Sequence, residues 1–506
     1  MRPNRGLPLL VAALAGIAIY FVAIRDAQAV PSFARKYQTS CQTCHTIYPV
    51  LNPFGEAFRR NGYRFPSQNG SEDSDAEKAP TIPLGQDEYK KTFPNSVWPD
   101  RIAEQVPFSM MFNGNVAFNI PGSDAKNAAG NMFPWSGLLG EMHLFGAGAF
   151  NDTLTYMTQV TLGSDGSMDL ETGYLLWNDI AGPRHLVNLW VGRLWAPQLT
   201  SYGLHSDYLA DTVMPATSVS GLWNPSATLA IGQAHNDGVE LNGIAGHRFN
   251  YALGWIASSM GNGIATQPNA EDVYVHLGVK SGGVALDGEG KYGPNVPDPR
   301  KPWAEKSITF DLFAYHGITR LDNGTGVNAG PIMQDDQFNV AGAVAHGQLD
   351  SAMLMVGAQI ERHDAPYQGT AATALGGNAF PGVPSFANAT AALAYGEFNY
   401  VVWPWFVPGV RAEYTNAEVP GASAAQLLRL IPGITVAVRP NIKVVLAGDL
   451  EWGQNLPWNG PNGAYGSWGP AGGSINPCAS SSTGTCTGSM SKFEAEQINA
   501  TVAVAF

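Results

Sequence analysis

At 506 residues, the chain is long enough for one large domain or several smaller ones. A net charge of −13 argues against nucleic acid as a partner. Only 14% of the residues are charged, and 58 are Gly. That suits a chain whose two faces alternate between apolar and polar better than an ordinary soluble domain, although a soluble all-β protein remains the alternative.

The first 29 residues read as an export signal. Arg2 and Arg5 precede an apolar stretch from Leu7 to Ile24, and Ala27-Gln28-Ala29 offers a cleavage site, so the mature chain is expected to begin at Val30. The stretch is long for a signal, which leaves an uncleaved anchor as the alternative. Beyond it, no run is long and apolar enough for a membrane helix. Export delivers the rest to an oxidising compartment, where haem attachment and disulfides are both feasible.

Residues 30–65 are expected to form a small helical segment. They contain Cys41-Gln42-Thr43-Cys44-His45, the C-x-x-C-H pattern of covalent haem attachment. Two thiols three positions apart can form thioethers to the two vinyl groups of one haem c, and the next residue, His45, can ligate its iron. A thioredoxin-like pair would need a βαβ setting. A zinc site would need a fourth ligand, and no other Cys or His occurs before His143. The second axial ligand is open: no Met lies between Met1 and Met110, so Met110 or Met111 comes first, with Met142 and His143 next. Helix is expected around the haem motif and again near Phe54–Asn61. Residues 66–107, with Ser71-Glu72-Asp73-Ser74-Asp75-Ala76-Glu77, read as a linker with little to bury.

Residues 108–506 change to short alternating runs, the signature of a transmembrane antiparallel β-barrel of about sixteen strands. The predicted strands lie near 109–120, 139–150, 154–163, 170–178, 187–195, 237–246, 248–258, 272–281, 307–316, 337–348, 351–362, 389–401, 405–415, 425–438, 441–452 and 492–506. In the last, Ile498, Ala500, Val502, Val504 and Phe506 share one face. In the one before, Ile442, Val444, Leu446, Leu450 and Trp452 alternate with Lys443, Asp449 and Glu451. An even count returns both ends to the periplasm, and tight connections at 151–153, His247, 349–350, 402–404 and 439–441 alternate with long ones, as that topology requires. Residues 282–306 break the rule, so either the register slips there or the periplasmic side carries an insertion. Trp177, Trp190, Trp195, Trp403, Trp405 and Trp452 fall near strand ends and are expected to form interface girdles. Glu361, Glu397, Asp449 and Glu451 lie on polar faces, as lumen lining or as a guide for cations. Cys478 and Cys486, in a small polar loop on the outer side, are expected to form a disulfide, with two free thiols as the alternative.

Pro31-Ser32-Phe33-Ala34-Arg35, the haem pentapeptide, Pro49-Val50-Leu51-Asn52-Pro53-Phe54-Gly55 and Phe58-Arg59-Arg60-Asn61-Gly62-Tyr63 together resemble the N-terminal motif of the fused monohaem cytochrome–porins. That family includes outer-membrane cytochromes of Fe(II) oxidisers. The resemblance covers about 35 residues, and the rest of the chain shares only length, strand pattern and the terminal Phe. It implies one haem in or near the lumen of a barrel in the bacterial outer membrane. Cys41 and Cys44 would hold it, and His45 would ligate it. Pro31, Phe33, Leu51, Pro53, Phe54, Gly55, Gly62 and Tyr63 would pack around it. Fe(II) would be the electron donor, and a periplasmic c-type cytochrome or copper protein the acceptor. Two other readings stand beside this one: the same conduit with another extracellular donor or acceptor, and a diffusion porin whose haem is structural or sensory.

Overall fold

The computed structural model describes residues 32–36, 41–47, 50–64, 81–83, 101–103, 108–120, 135–150, 153–163, 166–196, 235–257, 272–288, 301–321, 334–364, 388–418, 424–454, 456–457, 489–490 and 493–505. The signal sequence, Cys478, Cys486 and Phe506 lie outside them.

Near the N-terminus come helix α1 (Ser32–Lys36), a 3-10 turn (Cys41–Thr43), the two-stranded ladder of β1 (His45–Ile47) and β2 (Val50–Leu51), and helix α2 (Pro53–Arg60). The stretch read as a linker contains β3 (Thr81–Pro83) paired with β4 (Arg101–Ala103). Fifteen strands of the wall follow in order. They are β5 (Phe108–Asn119), β6 (Trp135–Ala149), β7 (Leu154–Gly163), β8 (Met168–Ala181), β9 (Val187–Trp195), β10 (His235–Ala245), β11 (Phe249–Ile256) and β12 (Asp272–Gly282), then β13 (Glu305–Leu321), β14 (Gln334–Asp350), β15 (Ala352–His363), β16 (Ala389–Tyr400), β17 (Phe406–Glu418), β18 (Ala425–Arg439) and β19 (Ile442–Gln454). A short pair, β20 (Leu456–Pro457) and β21 (Ser489–Met490), precedes the final wall strand, β22 (Phe493–Ala505). β22 pairs with β19 on one side and β5 on the other, closing the barrel; each of the sixteen strands runs antiparallel to its neighbours. Every predicted strand is present.

Side-chain parity explains the closure. On β12, Val273, Leu277 and Val279 face out and are more than two-fifths exposed, while Asp272, Tyr274, His276 and Lys280 face in and are buried. Neighbouring strands continue the outer apolar belt with Leu253, Trp255, Ile308, Phe310, Leu312 and Ile360. Such a belt in water would be a large apolar patch; around a closed polar lumen it meets lipid, and no strand edge is left unpaired. The protein is a transmembrane β-barrel of the bacterial outer membrane, not a soluble sandwich.

Parity also corrects the tryptophan reading. Trp177, Trp403, Trp405 and Trp452 face out as interface aromatics, but Trp190 shares the inward face of β9 with Asn188 and Leu194, and Trp195, the last residue of the strand, is buried with its indole N–H donating to Thr172 Oγ1 of β8.

The long 282–306 connection is an insertion at the periplasmic end. The Arg248 guanidinium donates to the carbonyls of Gly282, Gly283 and Val284, and Leu286 N–H donates to the His247 carbonyl. These bonds fold the segment across the β10–β11 turn, and Val284, Ala285 and Leu286 become buried.

Candidate functional site

The described residues between 32 and 64 form a plug inside the periplasmic end of the barrel. Its contacts reach round the wall. Ser32 N–H donates to Ser109 Oγ on β5 at 2.7 Å, and Arg64 pairs with Asp179 on β8 at 2.8 Å. The Asn61 amide donates to the Asp287 carbonyl in the insertion at 2.8 Å. Ile47 and Val50 pack with Trp303, Met353, Val401 and Val407, from the approach to β13, β15 and the β16–β17 region. Cys41, Gln42, His45, Thr46 and Ile47 face a cleft whose other side is Pro404, Ala437 and Arg439–Lys443, at the β16–β17 and β18–β19 turns.

One side chain organises the Cys-rich turn. Asn52 Oδ1 accepts from Gly55 N–H at 3.0 Å, capping α2, and its Nδ2 donates to the Gln42 and Thr43 carbonyls, each at 3.0 Å. Asn52 N–H donates to the Cys44 carbonyl at 2.9 Å, and Pro53 opens the helix at a position where its missing N–H costs nothing. These bonds occupy carbonyls that a longer helix would use, so the haem motif forms a single 3-10 turn running into β1 instead of the expected α-helix. Gly55 lies so close that a Cβ there would sit 2.0 Å from the Cys44 carbonyl oxygen.

The other end of α2 closes with Gly62 N–H donating to the Arg59 carbonyl and Tyr63 N–H to that of Phe58, both at 3.0 Å, with Gly62 at φ +69°. A Cβ on Gly62 would meet the Asn178 side chain of β8 at 2.4 Å. Phe33, Phe58 and Tyr63 pack as one aromatic cluster, with Phe33 and Phe58 centroids 4.9 Å apart. The motif residues expected to surround a haem therefore also build the plug and dock it to the wall. Pro31 lies outside the described residues.

Burial raises both thiols. Cys41 is pushed up, and Cys44 to about 12, with the neighbouring Cys41 adding to the effect of burial. As free groups they stay protonated at neutral pH, unlike the thiolate of a disulfide oxidoreductase. Among the described residues, no group of three or more His, Cys, Asp and Glu side chains is placed to hold a metal ion. The donor types and their order fit haem c, and Arg439 and Lys443 line the cleft beside them.

The methionines separate by parity. Met110 shares the outer face of β5 with Phe108, is 41% exposed and meets lipid, which removes it as an axial ligand. Met111 points inward and is buried, paired across strands with Ala505 and His143. Met142 has the outward parity of β6, whereas His143 faces in and meets Thr161 Oγ1 at 2.7 Å.

The expected lumen carboxylates are inward and paired. Glu397 meets Arg411; Asp449 and Glu451 meet Arg429 at 2.8 and 2.9 Å; Glu361 meets His363 at 2.8 Å. Glu413, which joins Arg411 and Arg429, went unnoticed in the sequence, although the alternation that placed Asp449 would also have placed it. Asn52 stands in the quoted motif, and Asn-Pro ahead of a helix is the signal that gives its capping role.

No protein-family model matches the sequence, and none of the curated proteins does. Among solved structures, the chain is similar to the trimer form of OmpT, an outer-membrane protein of Vibrio cholerae, at 11% identity over 79% of this chain and 98% of that one, with a TM-score of 0.45. It is also similar to the outer-membrane channel DcaP of Acinetobacter baumannii, at 9% identity over 79% and 96%, TM-score 0.46. The anion-selective porin from Comamonas acidovorans aligns at 12% identity over 79% and 98%, TM-score 0.43.

Proposed function

We propose that this barrel is an electron conduit. It oxidises extracellular Fe(II) at one c-type haem and passes the electrons to a periplasmic c-type cytochrome or copper protein. The observation that carries the reading is where Cys41–His45 sits: on a turn clamped by Asn52 and Gly55, in a plug braced against the wall, beside periplasmic turns. Cys41 and Cys44 would hold the haem, and His45 would ligate its iron. Bound haem c supplies a one-electron couple, the stoichiometry of Fe(II) oxidation.

The chain's own residues do the rest. Asn52 and Gly55 hold the two thiols and the imidazole in one short turn. The plug is braced against the wall at the periplasmic end, and Fe(III), which precipitates near neutral pH, would form away from the periplasm. Arg439 and Lys443 place positive charge where an electron would arrive. Met111 would be the second side chain to hold the iron. It faces inward at the level of Ala505, which exchanges backbone and amide hydrogen bonds with Asn441 on the cleft wall. Two strand spacings, about 10 Å in all, separate Met111 from that wall.

Purified protein should carry a haem that survives denaturing electrophoresis, and Fe(II) should reduce it promptly. A colourless protein, or a haem that Fe(II) leaves oxidised while solutes pass through liposomes, would remove this reading. Met111→Ala should abolish the charge-transfer band of thioether-ligated ferric haem and lower the midpoint potential; an unchanged spectrum would move the axial role to another group, His143 first.

A further inference from the structure

Two flanks of the lumen treat their carboxylates differently. On β16–β19, Glu397, Glu413, Asp449 and Glu451 each meet an arginine. On β6–β8, Glu141 and Glu171 both approach His143, and among the described residues neither meets a Lys or Arg. Resting on the reading above, we propose that His143, Glu141 and Asn113 form the site where Fe(II) binds and gives up its electron, inside the lumen and beside Met111.

The imidazole is set to receive a cation. Thr161 Oγ1 donates its one proton to Glu171 Oε1 at 2.5 Å, so it accepts from His143 Nδ1–H at 2.7 Å. The Gln159 amide donates to the other Glu171 oxygen and holds that carboxylate in place. With the proton on Nδ1, Nε2 carries the lone pair. It points to Glu141 Oε2 at 3.6 Å and to the Asn113 amide at 3.3 Å. A carboxylate and an imidazole lone pair repel unless positive charge stands between them. A carboxylate that orients a histidine through its far nitrogen is the arrangement that metal-binding imidazoles use.

The spacing suits one ion. A first-row divalent metal holds N and O ligands at about 2.1 Å, so two of them stand about 3.0–3.6 Å apart. Both distances from Nε2 fall in that range. Asn113 turns Nδ2 toward Nε2, and its Oδ1 is buried with no hydrogen-bond partner, so a half-turn of the amide brings Oδ1 to the ion. One carboxylate, one imidazole and one amide oxygen leave the other positions to water, which fits a substrate that must arrive and leave. Glu141, 59% exposed, lies on the extracellular side of His143 along β6, and the β7–β8 turn at Gly163–Ser167 follows just past Thr161. The site therefore opens toward the mouth.

His143 is the register partner of Met111, one strand spacing or about 5 Å away. The electron thus has a short path, from iron through the imidazole and the thioether to the haem that Met111 would ligate. Bound Fe(II) becomes Fe(III), and its one electron turns the ferric haem ferrous. No proton moves and no protein bond forms or breaks.

The test uses the full haem-bearing protein. Fe(II) is mixed by stopped flow, with hexaammineruthenium(II), a donor that needs no ligand, in a parallel run. Zn(II), which is redox-inert, is titrated calorimetrically against the oxidised protein. Haem reduction should saturate with Fe(II), and Zn(II) should bind one site and compete with it. Glu141→Gln and Thr161→Val should each raise the half-saturating Fe(II) concentration and weaken Zn(II) about tenfold, with the haem spectrum and the ruthenium rate at parent values. Glu361→Gln, an inward carboxylate seven strands round the barrel, should match the parent. Parent values for Fe(II) and Zn(II) in the first two variants, equal slowing of the ruthenium reaction, or equal weakening by Glu361→Gln would each overturn the site. So would a changed haem spectrum in His143→Gln, which would make that imidazole a haem ligand. If Zn(II) binds as expected and Fe(II) leaves the haem oxidised, the cation site stands and the iron assignment falls. A protein without haem would end the conduit, and the zinc titration would still decide the site.

Discussion

The plug and the barrel wall share one lumen and are held in different ways. The plug is a chain of single dependencies: Asn52 caps α2 and grips the Cys turn, Gly55 gives that turn room, and Gly62 closes the helix against Asn178. The wall is redundant. Each strand bonds to two neighbours along its length, and its buried charges form a mesh in which Arg429 meets Glu413, Asp449 and Glu451 while Arg411 meets Glu397 and Glu413. A single change in the plug should therefore act as a switch on cofactor loading, and one in the wall as a graded loss of stability.

The largest effect should come from Gly55→Val. With the Cys44 carbonyl 2.0 Å from the new Cβ, the turn and α2 cannot pack together, and haem per folded barrel should fall to background on a stained gel. Because the wall does not depend on this contact, the heat-dependent gel shift of the folded barrel should persist. Loss of both would show that plug and wall fold as one unit and would break the contrast.

Arg429→Leu tests the wall. The guanidinium is 1% exposed, and its removal leaves Glu413, Asp449 and Glu451 facing one another without it. Breaking a buried ion network in this way costs about 3–5 kcal/mol, read as a lower urea midpoint for the barrel. Haem content should stay at the parent level. A variant as stable as the parent would mean that the mesh contributes little and that backbone pairing alone holds this flank.

How much of this was legible in the sequence follows from the range of each signal. Alternation is local and has a period of two, so β19 and β22 could be placed with the right face outward from Val444, Leu446 and Leu450, or from Val502 and Val504. The same alternation, followed strictly, puts Trp190 inside with Asn188; grouping it with interface tryptophans because it lies near a strand end set parity aside. The C-x-x-C-H pattern could be read because its residues are adjacent. Its 3-10 geometry could not, because that depends on Asn52 reaching back ten residues to the Gln42 carbonyl. Nor could the docking be read: Arg64 finds Asp179 across 115 positions and Asn61 finds Asp287 across 226, distances at which one sequence carries no pairing signal.

The smallest effect, and the one that separates plug from wall most cleanly, is a dependence on pH. Burial pushes the Glu56 carboxyl up, but Arg59 and Arg60, three and four residues along the same helix at 2.8 and 3.3 Å, overrule it and hold it at about 2. A group whose folded value lies below its unfolded one contributes stability above the unfolded value, here the ordinary carboxylate range near 4.5, and loses that contribution as pH falls toward the folded value. The plug should therefore be fully braced at neutral pH and loosen progressively between about 4.5 and 2, as titration discharges Glu56 and leaves two arginines side by side. The haem absorption band would report the loosening, and the barrel's gel shift would report the wall over the same range. Glu56→Gln should remove much of the pH dependence of the haem signal and lower plug stability at neutral pH, because Arg59 and Arg60 lose their counter-charge at every pH. If Glu56→Gln leaves the acid transition of the haem band where it was, the transition belongs to another carboxyl, and the Arg64–Asp179 contact, which ties the plug to β8, is the next to change.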